Sequence, residues 1–182
     1  EAANYIGKES AGFQAEIALV MGSGMGMLAE EVQDACIIHY QNIPNFPVST
    51  VRGHAGKLFL GQLNNRRVML MQGRVHFYEG HTMRDVVFPI RVMQQLGVTQ
   101  LVLTNAAGGV NPDFVPGDLM IIKDHINFAF NNPLIGSYIR EFGDQFVDTS
   151  QSYTPKLQAL AHEVALSQKV SLKEGVYQFM TG

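Results

Sequence analysis

The chain has 182 residues, 46% of them hydrophobic and 16% charged, which is enough to bury a substantial core and sets aside disordered and fibrous classes. Its formal net charge is −3 with no long run of one sign, so the electrostatic footprint of a general nucleic-acid binder is missing. A single cysteine, Cys36, cannot close an internal disulfide, and no Cys/His cluster has zinc spacing, which points to a reducing cytosol. The apolar runs are strand-length, far short of the roughly 20 residues that cross a bilayer. No signal peptide is visible, although the first residue is Glu and a removed targeting segment stays open.

In chain order, short apolar runs ending in glycine or polar turns alternate with helical patterns, the mark of an α/β class with parallel strands and crossover helices. Ile17–Met21 reads as a buried strand, followed by the loop Gly22-Ser-Gly-Met-Gly26 and a helix-like stretch over 27–34. Lys57–Leu63 and 67–72 read as a hairpin turned by Asn64-Asn65. The runs 67–72 and 99–104 are strands that each enter a segment rich in glycine and polar groups.

Between these two strands, Val86, Ile90, Met93 and Gly97 fall at helical spacing, with Thr82 and Asp85 as a capping-box variant and Gly97 as a stop. Pro89 is expected to kink or weaken that helix. A second helix starts at the N-cap Thr154, with Pro155 at its first position and Leu157, Leu160, Ala161, Val164 and Ala165 on one face. Residues 174–182 read as a strand reaching a glycine loop. No repeat or interdomain linker is visible, so the reading is one domain over 1–182.

Several loops carry residues suited to chemistry. Gly22-Ser-Gly-Met-Gly26 follows a strand, so its backbone N–H groups and the Ser23 hydroxyl could hold an anion. It matches neither the dinucleotide nor the P-loop pattern, and a tight turn without ligand explains it equally well.

Gln72-Gly-Arg-Val-His-Phe-Tyr-Glu-Gly80 is richer. Arg74, His76 and Tyr78 alternate, which in an extended backbone turns all three to one side. Arg74 offers a fork that suits phosphate, His76 could bond the same anion, Glu79 could orient His76, and Tyr78 could cover a sugar face. The competing reading is an exposed loop with a surface Arg–Glu pair.

His54 in Gly53-His-Ala-Gly56 lies between glycines and fits either a ligand contact or a structural histidine. Thr104-Asn-Ala-Ala-Gly-Gly109 again follows a strand, and its small residues suit either a ligand or a packed crossover turn. His39, His81, His125 and His162 have no catalytic neighbour in sequence, and the nine methionines read as core filler.

Together these motifs, with Gly117-Asp-Leu-Met-Ile-Ile-Lys-Asp-His-Ile-Asn127, resemble in the same order the trimeric class of purine nucleoside phosphorylases. Similarity runs from about residue 10 to Gly182. The resemblance implies a mixed, largely central β-sheet flanked by helices, with the C-terminal part of the family's domain absent from this chain. It implies that Ser23, Arg74, His76 and the backbone N–H of Ala106 hold phosphate, with His54 at the phosphate entrance. Tyr78 would pack on ribose, Asn105 would shape the loop beneath phosphate, and Phe142 would reach the neighbouring subunit's site in a homotrimer. The family's base-contacting segments would lie beyond Gly182.

The activity so implied is phosphorolysis of inosine- or guanosine-type nucleosides in cytoplasmic purine salvage, with inorganic phosphate as co-substrate and no metal or organic cofactor. Methylthioadenosine phosphorylases share the fold but lack the His-x-Tyr-Glu-Gly and Gly-His-Ala-Gly patterns. Xanthosine-preferring relatives differ in base contacts found downstream. Outside that class, the chain reads as a noncatalytic phosphate- or nucleoside-binding module, or as an inactive trimerising fragment.

Overall fold

A computed structural model describes residues 1–22, 24–48, 56–136, 138–144 and 146–181. The chain falls into two compact units, Glu1–Ala106 and Ala107–Gly182.

The first unit is built on a five-stranded mixed sheet. Its strands are β1 (Ile17–Met21), β2 (Gln33–His39), β3 (Lys57–Leu63), β4 (Arg66–Gln72) and β5 (Gln100–Leu103), in the order β2-β3-β4-β1-β5. β1 runs parallel to both β4 and β5, whereas β2, β3 and β4 form antiparallel neighbours.

The central strands read as unbroken apolar runs because both of their faces are covered. Successive side chains alternate between faces, so Met69 and Met71 enter one cluster with Ala18, Val20, Leu58 and Leu60. Val68 and Leu70 enter another with Phe59, Met21, Ala29 and Val32. Ile6 of helix α1 (Ala2–Glu9) and Val92 and Met93 of helix α2 (Met83–Gln95) cover the first face. The 3-10 turn Gly26–Glu31 supplies Ala29 to the second.

Local chemistry explains the element ends. Asn64 and Asn65 both have positive φ, 49° and 60°, as the tight turn of the β3–β4 hairpin requires. At α2, the Thr82 hydroxyl oxygen accepts from the Asp85 N–H at 3.2 Å, and the Asp85 carboxylate accepts from the Thr82 N–H at 2.9 Å. The Thr82 hydroxyl also donates to Asp85, and these two bonds hold its carboxyl below the usual carboxylate range. α2 continues through Pro89, whose missing N–H forfeits one helical hydrogen bond.

No α-helix forms over 27–34, where the sequence pattern predicts one. The chain makes a 3-10 turn that stops at Glu31, turns extended at Val32, takes a positive φ at Asp34 and belongs to β2 from Gln33. Six residues of turn place Ala29 on the sheet, and a longer helix would leave β3 without its outer partner.

The second unit is a βαβ arrangement. β6 (Leu119–Asn127) pairs in parallel with β7 (Leu172–Phe179), and α3 (Pro155–Ser167) forms the crossover, entered at Thr154 and Pro155 as its sequence predicts. Glu174 on β7 bonds both Lys123 of β6 at 2.9 Å and His162 of α3 at 2.7 Å, tying the three elements. Among the described residues no helix is long and apolar enough to cross a membrane.

Gly61 sits where β2 carries a register irregularity between Gln33 and Cys36. A Cβ there would lie 2.5 Å from the Gln33 carbonyl oxygen and 2.7 Å from Val32 Cγ1. Gly61→Ala is expected to destabilise the protein by about 1–3 kcal/mol, as overpacking does. An unchanged urea midpoint would show that β2 moves aside freely.

Candidate active site

The parallel pairing decides where the site lies. β4, β1 and β5 are adjacent and run the same way, with Met21 beside Gln72 and Val20 beside Leu103, so their C-terminal ends finish at one sheet edge. The loops leaving those ends are 22–26, 73–80 and 104 onward, three of the stretches singled out by their composition. Open α/β sheets bind ligands at such strand ends.

Thr104 joins the three loops. Its hydroxyl oxygen accepts from the Gly22 N–H at 2.8 Å, and its hydroxyl donates to the Val20 carbonyl at 3.3 Å. Its carbonyl accepts from Nη1 of Arg74. Gly22 lies so close that a Cβ would stand 2.8 Å from the Thr104 carbonyl oxygen, which explains a residue without a side chain at that position. The sequence marks Thr104 only as the first residue of the small-residue loop 104–109, with no sign of its bonds to Gly22, Val20 and Arg74.

Arg74, His76 and Glu79 form a connected row. Arg74 Nε donates to His76 Nε2 at 3.3 Å, and the His76 backbone N–H donates to Glu79 Oε1 at 2.8 Å. His76 Nδ1 lies 2.8 Å from the same carboxylate oxygen. This geometry assigns the imidazole proton to Nδ1, facing Glu79, and the Nε2 lone pair to the Arg74 side. The Glu79 side chain is only 3% exposed, so its charge is held by these donors and not by bulk water. Glu79 is thus in contact with both the backbone N–H and the ring of His76.

The backbone does not stay extended from Arg74 to Tyr78 as the alternation of Arg74, His76 and Tyr78 predicts. His76 is extended, but Phe77–Glu79 form a 3-10 turn closed by Gly80 at φ 93°, so period-two geometry ends at His76. Tyr78 still meets His76, by stacking: the ring centroids are 4.8 Å apart and the planes differ by 16°. Tyr78 is 65% exposed and so presents an open aromatic surface beside the row.

Asn105 is exposed, and its side-chain amide donates to the Ala106 carbonyl at 3.3 Å, bracing the last two residues of the first unit. Phe142 belongs to the second unit, where it ends the 3-10 turn Arg140–Phe142 before Gly143. Ser23 and His54 lie outside the described residues. The arrangement so formed is a guanidinium, an oriented imidazole and an aromatic face at the ends of parallel strands, which suits an anion beside a partly apolar ring.

A family model for the phosphorylase superfamily matches residues 16–182. Across its whole length the chain is 52% identical to purine nucleoside phosphorylase 1 of Geobacillus stearothermophilus, and it covers 66% of that protein. The crystal structure of isoform 2 of purine nucleoside phosphorylase from Schistosoma mansoni, in complex with cytosine and ribose-1-phosphate, matches all of the chain with a TM-score of 0.93 at 45% identity. A second Schistosoma mansoni purine nucleoside phosphorylase structure, in complex with inosine, matches with the same TM-score at 41% identity. The chain covers 65% of each of these two structures. The chain belongs to the phosphorylase superfamily and, within it, to the purine nucleoside phosphorylases. It spans just under two thirds of the length of these relatives.

Thr104→Val keeps the shape of the side chain but leaves the Gly22 N–H without its acceptor. It should lower stability by about 1 kcal/mol, the net worth of one intramolecular hydrogen bond at a partly buried donor. Thr104→Ser should restore most of that loss. Equal urea midpoints for wild type and Thr104→Val would remove Thr104 from its place as the tie between loops.

Proposed function

We propose that the full-length protein catalyses phosphorolysis of purine ribo- and deoxyribonucleosides, inosine and guanosine types first, giving free purine and (deoxy)ribose 1-phosphate. The observation that carries this reading is the Arg74–His76–Glu79 row, tied through Thr104 to the loop that holds Ser23, at the ends of three parallel strands. The names of the relatives, and the ribose-1-phosphate and inosine bound in their crystal structures, support it.

In this reaction the bond from ribose C1′ to the purine nitrogen breaks ahead of nucleophile attachment, and the sugar gains oxocarbenium character. Phosphate, held by Arg74, His76, Ser23, His54 and the N–H of Ala106, stabilises that charge and then forms the new C1′–O bond. The bonding pair leaves with the purine, which takes up a proton. Tyr78 packs on the ribose and Asn105 shapes the loop beneath phosphate. Glu79 aims His76 through Nδ1, and His76 meets phosphate as the imidazolium, whose Nε2–H donates to the anion in place of the Nε2 contact with Arg74. No protein nucleophile is required, so positioning and electrostatics supply most of the acceleration. Phosphate is itself the co-substrate, and the scheme calls for no metal or organic cofactor.

The further elements of the proposal follow the family. Phe142 completes the site of a neighbouring subunit in a homotrimer, and the protein works in the cytoplasm in purine salvage, with neither membrane nor nucleic acid as partner. The family match runs across both compact units, which supports reading 1–182 as part of one nucleoside phosphorylase domain. The relatives' greater length supports a base-contacting portion outside these residues.

With inosine as substrate, hypoxanthine release by the full-length protein should depend on inorganic phosphate and match ribose 1-phosphate formation mole for mole. Release without phosphate would sink the proposal. Arg74→Ala should weaken phosphate binding and cost about 2–4 kcal/mol of transition-state stabilisation, as lost charged donors do. Steady-state kinetics with phosphate varied at saturating inosine checks this. Normal phosphate dependence in that variant would remove Arg74 from the phosphate site.

A further inference from the structure

Tyr40 opens the 3-10 turn Tyr40–Asn42 that follows β2, and it is 2% exposed. A tyrosine this deep needs a partner for its hydroxyl, and the one it has is specific. The phenol donates to the Gly73 carbonyl at 2.8 Å, across 33 positions of sequence. Burial pushes the Tyr40 phenol up from its ordinary value, so it remains a protonated donor.

The acceptor matters because of where it lies. The Gly73 carbonyl and the Arg74 N–H belong to one rigid peptide plane. That plane is the hinge between β4 and Arg74, and Gly73, at φ 97°, has the conformational freedom to turn it widely. A bond to the carbonyl oxygen fixes the plane's rotation, and with it the direction in which the Arg74 side chain leaves the backbone. From there Arg74 reaches His76 and the Thr104 carbonyl.

The same residue braces a second stretch. The Tyr40 N–H donates to the Gly56 carbonyl at 2.8 Å, and a Cβ on Gly56 would come 3.5 Å from the Tyr40 ring. Gly56 is two residues beyond His54 in the sequence. The ring itself is seated in the core, tilted against Phe46 at 4.9 Å, with Phe46 in turn edge-on to Phe88 at 6.1 Å. One buried side chain therefore links the core to the residue before Arg74, and its backbone links it to the end of the stretch that carries His54.

We infer that Tyr40 is a positioning residue for phosphate, acting through the Gly73–Arg74 peptide. This rests on the phosphate role proposed above for Arg74. Tyr40→Phe keeps the ring and its packing and removes only the bond to Gly73.

Steady-state kinetics of the full-length protein, well below its melting temperature, tests the idea with inosine and phosphate varied separately. Tyr40→Phe should raise the KM for phosphate about tenfold and leave the KM for inosine within about twofold of wild type, a fold-change typical of one lost hydrogen bond near a charge. Val92→Ala, in the same core cluster but on α2 and in neither loop, serves as a control. It should lower the melting temperature without changing the KM for phosphate. An unchanged phosphate KM in Tyr40→Phe, or an equal rise for both substrates, would overturn the inference and leave Tyr40 a structural residue. Arg74→Ala measured in parallel separates the two levels: if that variant also keeps its phosphate KM, the phosphate role of Arg74 fails, and with it the basis of this inference.

Discussion

The hydrogen bonds of Thr104 hold together loops that come from three separate strands. β4, β1 and β5 end side by side because they are parallel, but parallel pairing fixes only the strands. What leaves each strand is main chain with unpaired N–H and C=O groups, and these must find partners. Thr104 answers for several at once: the Gly22 N–H, the Val20 carbonyl and, through its own carbonyl, Arg74. A hydroxyl can accept and donate together, which a purely apolar or purely anionic side chain could not do here. The glycine at position 22 is the steric counterpart of the same tie.

The rigidity of that edge comes from below it. Val68, Met69, Leu70 and Met71 are all buried, as are Ala18 and Val20, so β4 and β1, two of the three strands that carry the loops, are packed on both faces. Buried aliphatic and methionine side chains supply the stability through apolar area removed from water. The polar row above them is then free to be arranged for charge and geometry. Glu79 illustrates the division: its carboxylate is nearly inaccessible and sits where two donors from His76 converge, a placement that contributes orientation at the expense of desolvation.

How far the sequence could be read depended on whether the cause was local. The Asn64-Asn65 turn, the Thr82 cap and the Thr154-Pro155 helix start all rest on residues within a few positions of one another, and each stands where its pattern places it. β1, β4 and β5 were legible as apolar runs before glycine or polar loops. β2 was not, because it is an outer strand with a mostly unburied, irregular pattern, and its preceding turn carries the residues of a helix without the length. Within the site, Arg74, His76 and Glu79 could be picked out by residue type, and the Glu79–His76 contact by spacing. The stacking of Tyr78 on His76 could not, since it depends on a 3-10 turn that breaks the alternation. Thr104 and Tyr40 act through partners 82 and 33 positions away, and no local pattern encodes such distances.

These long-range bonds are better understood as devices of position than of stability. A typical intramolecular hydrogen bond contributes only about 0.5–1.5 kcal/mol net, because the unfolded chain bonds water instead. The cost of breaking one inside the protein is larger, since the orphaned group is still desolvated. That asymmetry makes a buried bond such as Tyr40 to Gly73 a steep local constraint even where its contribution to folding is small. For the phosphate role proposed for Arg74, displacement of the guanidinium by an ångström would matter more than a fraction of a kcal/mol of folding free energy. A flexible glycine beside Arg74, bonded by a tyrosine rooted in the core, suits that proposed role: Gly73 supplies the turn from which Arg74 reaches the Thr104 carbonyl, and the bond from Tyr40 restrains it.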